Sequence, residues 1–97
     1  MDPNYDPRDE SEFRPQVGFR LRAGAYDANA LLTALRNRGV GYHDVMLFSP
    51  VDGEVPGCLR FSWETPKSVV DDTAAWFASL SYVVKVSPNY GGPVAAA

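Results

Sequence analysis

The sequence is poor in the side chains that mark enzymes and metal proteins, with one cysteine and one histidine in 97 residues. A single cysteine, Cys58, excludes an intramolecular disulfide and a cysteine-based metal cage. It is compatible with the cytoplasmic location that we expect. The histidine, His43, precedes Asp44, but neighbouring strand residues point to opposite faces, so the pair is not arranged for catalysis. Phosphate-binding, serine-hydrolase and zinc-protease motifs are also missing. We therefore predict no catalytic residue, no metal site and no cofactor.

Long apolar runs and net positive charge are missing too. No run approaches the ~20 residues that cross a bilayer, so we expect no membrane association. Residues 1–10 are acidic and lack the apolar centre of a signal peptide. Residues 1–15 carry five acidic and two basic side chains, whereas residues 16–97 carry seven of each, so the formal charge of −3 belongs to the N-terminal segment. This balance argues against nucleic-acid binding, which requires a positive surface.

Composition divides the chain into three parts. Residues 1–15 are rich in proline and acidic side chains, which predicts a disordered or loosely docked arm. Residues 16–88 contain the apolar periodicities of one domain with one core. Residues 89–97 begin with a glycine- and proline-rich stretch and predict a flexible tail. An apolar share of 45% is enough for the middle part to fold without disulfides.

Four segments carry the period-two pattern or the apolar density of β-strands. They are Val17–Arg22, Asp44–Ser49, Cys58–Glu64 and Ser81–Ser87. The residues predicted to face the core are Val17, Phe19, Leu21, Val45, Leu47, Leu59, Phe61 and Trp63. The residues predicted to face away are Arg20, Arg22, Met46, Phe48, Cys58, Arg60, Ser62 and Lys85. The second strand is apolar on both faces, so one face must contact something besides the core. A polar loop over residues 50–57 joins it to the third strand.

Two segments have helical periodicity. They are Ala28–Arg38 and Pro66–Leu80. Asp27 is predicted to cap the first helix and Gly39 to end it. Thr65 is predicted to cap the second helix, with proline at its first position. Ser68 and Asp71 are compatible with an alternative capping box, which leaves the first turn of that helix open.

The resulting order is β-α-β-β-α-β, the split βαβ arrangement. Right-handed crossovers place the first and third strands at the centre of a four-stranded antiparallel sheet, with both helices on one face. The predicted fold class is therefore α+β and ferredoxin-like.

The uncovered sheet face is the first candidate site, because such a face closes by dimerising or by binding a partner. Arginine, methionine and aromatic residues are enriched in protein interfaces. The predicted interface residues are Arg20, Arg22, Met46, Phe48 and Arg60. RNA-recognition domains use the same face but need aromatic residues on the two central strands, where this sequence has glycine, arginine, cysteine and serine. The leading hypothesis is a non-enzymatic binding or regulatory module that forms a homodimer or binds a protein partner.

The turn before the first helix is the second candidate site. Its residues are Gly24, Ala25, Tyr26 and Asp27. Backbone amides at a helix N-terminus can hold a small anion or carboxylate. A simple strand-to-helix turn is the alternative interpretation.

Residues 17–86 resemble an ACT-type domain, a small module that senses amino acids in metabolic regulation. The resemblance rests on the element order, on Gly24 before the first helix, on the run from Leu31 to Val40, and on the ending from Leu80 to Val86. It implies that a small ligand such as an amino acid binds at residues 24–27. The family usually has a Pro-Gly pair at this turn, and this sequence lacks the proline.

Two other functions remain open. A small cofactor-free enzyme of the dimeric α+β class would use His43, Tyr42 or the arginines in a pocket of roughly 300 Å³ or more between sheet and helices. Nucleic-acid binding would use the arginines of the open face.

Overall fold

Alternating apolar residues build the centre of a four-stranded antiparallel sheet in the computed structural model, which describes residues 12–93. The strands of this sheet are β2 (Gln16–Arg22), β3 (Asp44–Leu47), β4 (Glu54–Arg60) and β5 (Val83–Asn89). Their spatial order is β3-β4-β2-β5, so the first and third strands of the predicted fold are central. The predicted α+β, ferredoxin-like arrangement is therefore confirmed.

The first helix, α1 (Ala28–Arg38), has the predicted bounds and caps. The carboxylate of Asp27 accepts hydrogen bonds from the amides of Asn29 at 2.9 Å and Ala30 at 3.3 Å. Gly39 ends the helix at φ 77°, in the left-handed region that glycine enters at little cost. Both ends of α1 can therefore be predicted from the sequence.

The second helix, α2, spans Lys67–Ala78, which is shorter than predicted at both ends. Pro66 is its N-cap residue, and no side chain caps its amides. The predicted cap, Thr65, instead places its hydroxyl 3.1 Å from that of Ser62, within the preceding turn. The assignment of Thr65 as the cap was therefore wrong.

The core lies between the sheet and the two helices. Its fully buried residues include Val17, Leu21, Leu31, Leu35, Leu59, Phe61, Val70 and Phe77. The rings of Phe19 and Phe77 stack with centroids 4.6 Å apart, which fixes α2 against β2. Burying a large apolar side chain stabilises a fold by about 1.5–3 kcal/mol, so these contacts dominate its stability.

The bounds of strand β4 differ from the prediction at both ends. It begins at Glu54, inside the predicted loop, and ends at Arg60 instead of Glu64. Both neighbouring strands begin opposite Arg60, with Gln16 on one side and Asp44 on the other, so pairing partners end there. Trp63 therefore lies in a turn, half-buried, with the Arg14 guanidinium 5.2 Å from the centroid of its ring.

The loop between β3 and β4 is a tight hairpin. Val51 and Glu54 exchange two backbone hydrogen bonds around Asp52 and Gly53. These two residues have φ values of 52° and 79°, as a type I′ turn requires. Pro56 fits within β4 because it lies beyond the last residue that pairs with β3.

Strand β5 starts and ends two residues later than predicted. A register shift between Arg20 and Leu21 of β2 leaves Val84 without a partner residue in the ladder. This irregularity delays regular pairing and exposes Val84 at the sheet edge.

A second, two-stranded sheet joins β1 (Glu12–Phe13) to β6 (Gly92–Pro93). Pro15 is buried, and its carbonyl accepts a hydrogen bond from the Phe61 amide at 2.8 Å. The described ends of the predicted arm and tail thus contact the domain, and residues 1–11 and 94–97 lie outside the described residues. Between residues 12 and 93, no helix is long and apolar enough to cross a membrane.

Candidate binding face of the sheet

The face of the sheet opposite the helices, here called the open face, has its side chains arranged in rows across the strands. The first row contains Asp44, Arg60, Gln16 and Asn89. The second row contains Met46, Cys58, Gly18 and Ser87, and the third contains Pro56, Arg20 and Lys85. The register thus places Val45 on the core side and Met46 on the open face, as predicted.

An ion pair dominates the first row. Arg60 donates from Nε to Oδ1 of Asp44 at 2.7 Å and from Nη2 to Oδ2, so the contact is bidentate. The hydrogen bonds from this guanidinium hold the pKa of Asp44 below its usual value, against the opposing effect of burial. Both side chains are about one-third exposed. Arg60 and Asp44 therefore form a satisfied, neutral unit on the open face.

His43 does not form a hydrogen-bonded pair with Asp44. Its Nε2 lies 4.0 Å from Oδ2 of Asp44, which is beyond hydrogen-bond range. Both oxygens of this carboxylate already accept bonds from Arg60. The arrangement gives Asp44 no role in orienting the imidazole.

Cys58 lies half-buried in the second row. Its Sγ donates a hydrogen bond to Oε1 of Gln16 at 2.9 Å. Burial raises the pKa of the Cys58 thiol more than the nearby Arg60 lowers it. The thiol is therefore protonated at neutral pH, which suits a packed surface residue and not a nucleophile.

The third row brings two cations together. Arg20 and Lys85 lie directly opposite each other on β2 and β5. Nη1 of Arg20 lies 3.4 Å from Oε1 of Glu54, whereas no ion-pair partner of Lys85 is found in the described part of the chain. A depression of about 210 Å³ opens beside these side chains, over Gly18 and Ser87.

Exposed apolar residues concentrate at the β3–β4 hairpin. Five large hydrophobic side chains are exposed in the described part: Leu47, Phe48, Val51, Val84 and Tyr90. Leu47 lies opposite Gly57 and therefore on the core side of the sheet, as predicted. The next two, Phe48 and Val51, are here called the hairpin patch, and Val51 lies opposite Glu54. The Phe48 amide donates to the Pro56 carbonyl at 2.9 Å, which places Phe48 opposite Pro56 and on the open face. Phe48 is 51% exposed.

The residues of the predicted turn site form the N-terminal cap of α1, with the Asp27 carboxylate as the capping group. Residues 23–25 form a turn closed by a bond from the Ala25 amide to the Arg22 carbonyl at 3.1 Å. Asp27 already accepts the two helix amides that would otherwise be available to a ligand. Tyr26 packs against the core. The structure brings Gly24, Ala25, Tyr26 and Asp27 together as a cap, and ligand binding there stays a prediction.

A groove of about 390 Å³ separates the C-terminal end of α1 from α2. Its lining includes Arg38, Val40, Val69 and Asp72. This volume exceeds the ~300 Å³ that we expect of an enzyme pocket. However, His43, Tyr42 and the open-face arginines do not line it, so the groove does not assemble the residues of the enzyme hypothesis.

Sequence reasoning found the arginines, Met46 and Phe48 but missed Gly18, Ser87 and Val51. Gly18 interrupts an otherwise bulky strand, and an isolated strand glycine marks a bulge or a place where a ligand or another backbone approaches closely. The Asp52-Gly53 pair signals a tight hairpin, which would have placed Val51 opposite Glu54.

Comparisons with known proteins add no assignment: no protein-family model, curated protein or solved structure matches this chain. The resemblance to an ACT-type domain therefore remains a prediction. Across residues 12–93, no group of three or more histidine, cysteine or acidic side chains is arranged to hold a metal ion.

Proposed function

We propose that the protein is a non-enzymatic binding module that works as a homodimer, with the open face of one copy packed on that of a second copy. The observation that carries this proposal is the concentration of exposed apolar residues in the hairpin patch, next to Met46. Such a cluster at one edge of an uncovered sheet is typical of an interaction surface.

The distribution of charge favours a second copy as the partner. The β3–β4 half of the open face carries Met46, Phe48 and Pro56. Its charged residues are paired, Asp44 with Arg60 and Glu54 with Arg20. The β2–β5 half carries Arg20, Arg22 and Lys85. A twofold axis through the apolar half would bury the apolar side chains of both copies against each other. The cationic halves would then lie at opposite ends of the dimer, far from each other. The same patch can thus meet itself without opposing like charges.

The ion pair between Arg60 and Asp44 supports the same arrangement. A buried charge destabilises an interface when its partner is missing. Here the guanidinium and carboxylate satisfy each other within one copy, so the second copy need not supply a counter-charge. A homodimer can therefore cover this part of the open face with uncharged surface.

Nucleic-acid binding has less support. The outward residues of the central strands include Gln16, Gly18, Arg20, Pro56, Cys58 and Arg60. None of these is aromatic, so the central strands offer no ring on which bases could stack. The enzyme hypothesis lacks an assembled site among the described residues.

Sedimentation velocity over a concentration series tests the proposal, with the Phe48→Asp variant. Val84→Asp is the matched control, because Val84 is also an exposed apolar residue but lies on β5, at the far edge of the sheet. We expect the wild type and Val84→Asp to form dimers and Phe48→Asp to remain monomeric, with little change in monomer stability. A wild type that is monomeric throughout the series would refute the proposal. Loss of the dimer in Val84→Asp alone would place the interface on the other edge.

A further inference from the structure

We propose that the depression over Gly18 is a binding site for one small oxyanion, a carboxylate or phosphate group held between Arg20 and Lys85. This site goes beyond the proposed homodimer and does not require it. The lining residues are Gly18, Phe19, Arg20, Pro56, Gly57, Lys85 and Ser87.

The first argument is the position of the two cations. Arg20 and Lys85 are register partners on adjacent strands, so their side chains leave the sheet side by side. Like charges directly opposite each other destabilise a strand pair. An anion between them converts this repulsion into two charge-assisted contacts.

The second argument is that the neighbouring carboxylate leaves most of this charge available. Glu54 approaches Arg20 at one nitrogen, Nη1, at 3.4 Å. A guanidinium has five N–H donors in a fixed fork, so the others remain available. Lys85 has no ion-pair partner among residues 12–93. The other carboxylate of the open face, Asp44, lies two rows away and is held by Arg60.

The third argument is that packing does not require a glycine at position 18. A Cβ built there would lie 3.5 Å from the Ser87 carbonyl oxygen, an ordinary contact. Gly57, by contrast, faces the core, where a Cβ would lie 2.4 Å from the Phe19 ring. Packing therefore explains the glycine at 57 and not the glycine at 18. The missing side chain at 18 instead forms the floor of the depression, beside the Ser87 side chain.

The volume limits the ligand class. The depression has a volume of about 210 Å³, well above the ~10–15 Å³ that one water molecule needs. That space accommodates inorganic phosphate or a short dicarboxylate. Drug-sized and nucleotide-sized ligands need pockets of ~300–1,000 Å³, so we exclude them.

Chemical-shift titration of the full-length chain with inorganic phosphate, and separately with succinate, tests this site at constant ionic strength. We expect saturable shifts of the Gly18 and Ser87 amides. Lys85→Met should weaken binding about tenfold, because one charge-assisted contact is lost. Gly18→Val should weaken it by filling the depression while leaving every charge in place. Arg36→Met is the control, since it removes one exposed cation from α1.

Three outcomes would overturn the site: shifts spread over all basic residues, equal weakening by Lys85→Met and Arg36→Met, or unchanged binding in Gly18→Val. Lys85→Met keeps the test decisive if Gly18→Val does not fold. Repeating the titration with Phe48→Asp separates the two proposals. Equal affinity in that monomer supports an anion site that is independent of the dimer, and loss of binding would contradict it.

The source of the oxyanion is settled by a variant that replaces Asp2, Asp6, Asp9 and Glu10 with their amides. If the chain's own acidic segment occupies the site, phosphate will bind this variant more tightly than the wild type, because a competitor has been removed. Equal affinities assign the site to a free anion. Both interpretations require phosphate to shift the Gly18 and Ser87 amide signals. If neither the wild type nor the amide variant shows these shifts, the proposed site is refuted.

Discussion

Asp44 and Arg60 face each other across β3 and β4, and the guanidinium of Arg60 holds both oxygens of the Asp44 carboxylate. The pair lies at the last position of β4 that has pairing partners on both sides. It also neutralises two charges on the open face. The pair thus has a structural role and a role in the proposed interface.

The first prediction concerns acid sensitivity. Because the folded-state pKa of Asp44 is lowered, its stabilising effect is present at neutral pH and is lost as pH falls through that pKa. Asp44→Asn should lower the free energy of unfolding at pH 7 by about 0.5–1 kcal/mol, the range for a partly exposed pair. The difference between the variant and the wild type should shrink as the pH falls through the lowered pKa of Asp44, because the wild-type carboxylate becomes protonated there. Urea denaturation over a series of acidic pH values measures this, with Asp72→Asn on the exposed side of α2 as the control. A constant difference at all pH values would contradict it.

The second prediction compares two aromatic residues that were both expected to face the core. Phe61 is fully buried, so Phe61→Ala should cost about 3–5 kcal/mol. Trp63 is half-buried in a turn, so Trp63→Ala should cost only about 1–2 kcal/mol. Chemical denaturation gives both values. Equal losses would show that Trp63 belongs to the core after all.

The third prediction compares two glycines on opposite faces of the sheet. Gly57→Ala should cost about 1–3 kcal/mol, because the new methyl group would overlap the Phe19 ring. Gly18→Ala should be neutral or stabilising by up to about 1 kcal/mol, since alanine restricts the unfolded chain more than glycine does. Thermal denaturation orders the two variants. The reverse order would invert the assignment of the two sheet faces.

The fourth prediction concerns the cap of α1. Asp27→Ala should lower stability by about 1 kcal/mol, because the amides of Asn29 and Ala30 lose their acceptor. Asp27→Asn keeps an acceptor oxygen and should retain most of the stability. Equal losses in the two variants would show that the charge matters more than the hydrogen bonds.

Local signals in the sequence were sufficient for some elements and insufficient for others. Both ends of α1 were predictable, because Asp27 and Gly39 act on neighbouring backbone groups. The ends of β4 were not, because they depend on where Gln16 and Asp44 come to lie, a long-range property. The arginines of the open face followed from strand phase. The depression over Gly18 did not, since it requires the register that sets Arg20 against Lys85.

The twofold contact through the hairpin patch is tested most directly by oxidative cross-linking. Phe48→Cys in a Cys58→Ser background leaves a single thiol at the predicted axis, and Val84→Cys in the same background places it on the far edge. We predict that oxidation converts the Phe48→Cys protein to a covalent dimer and leaves the Val84→Cys protein monomeric. Efficient cross-linking at position 84 with none at position 48 would contradict the proposed interface.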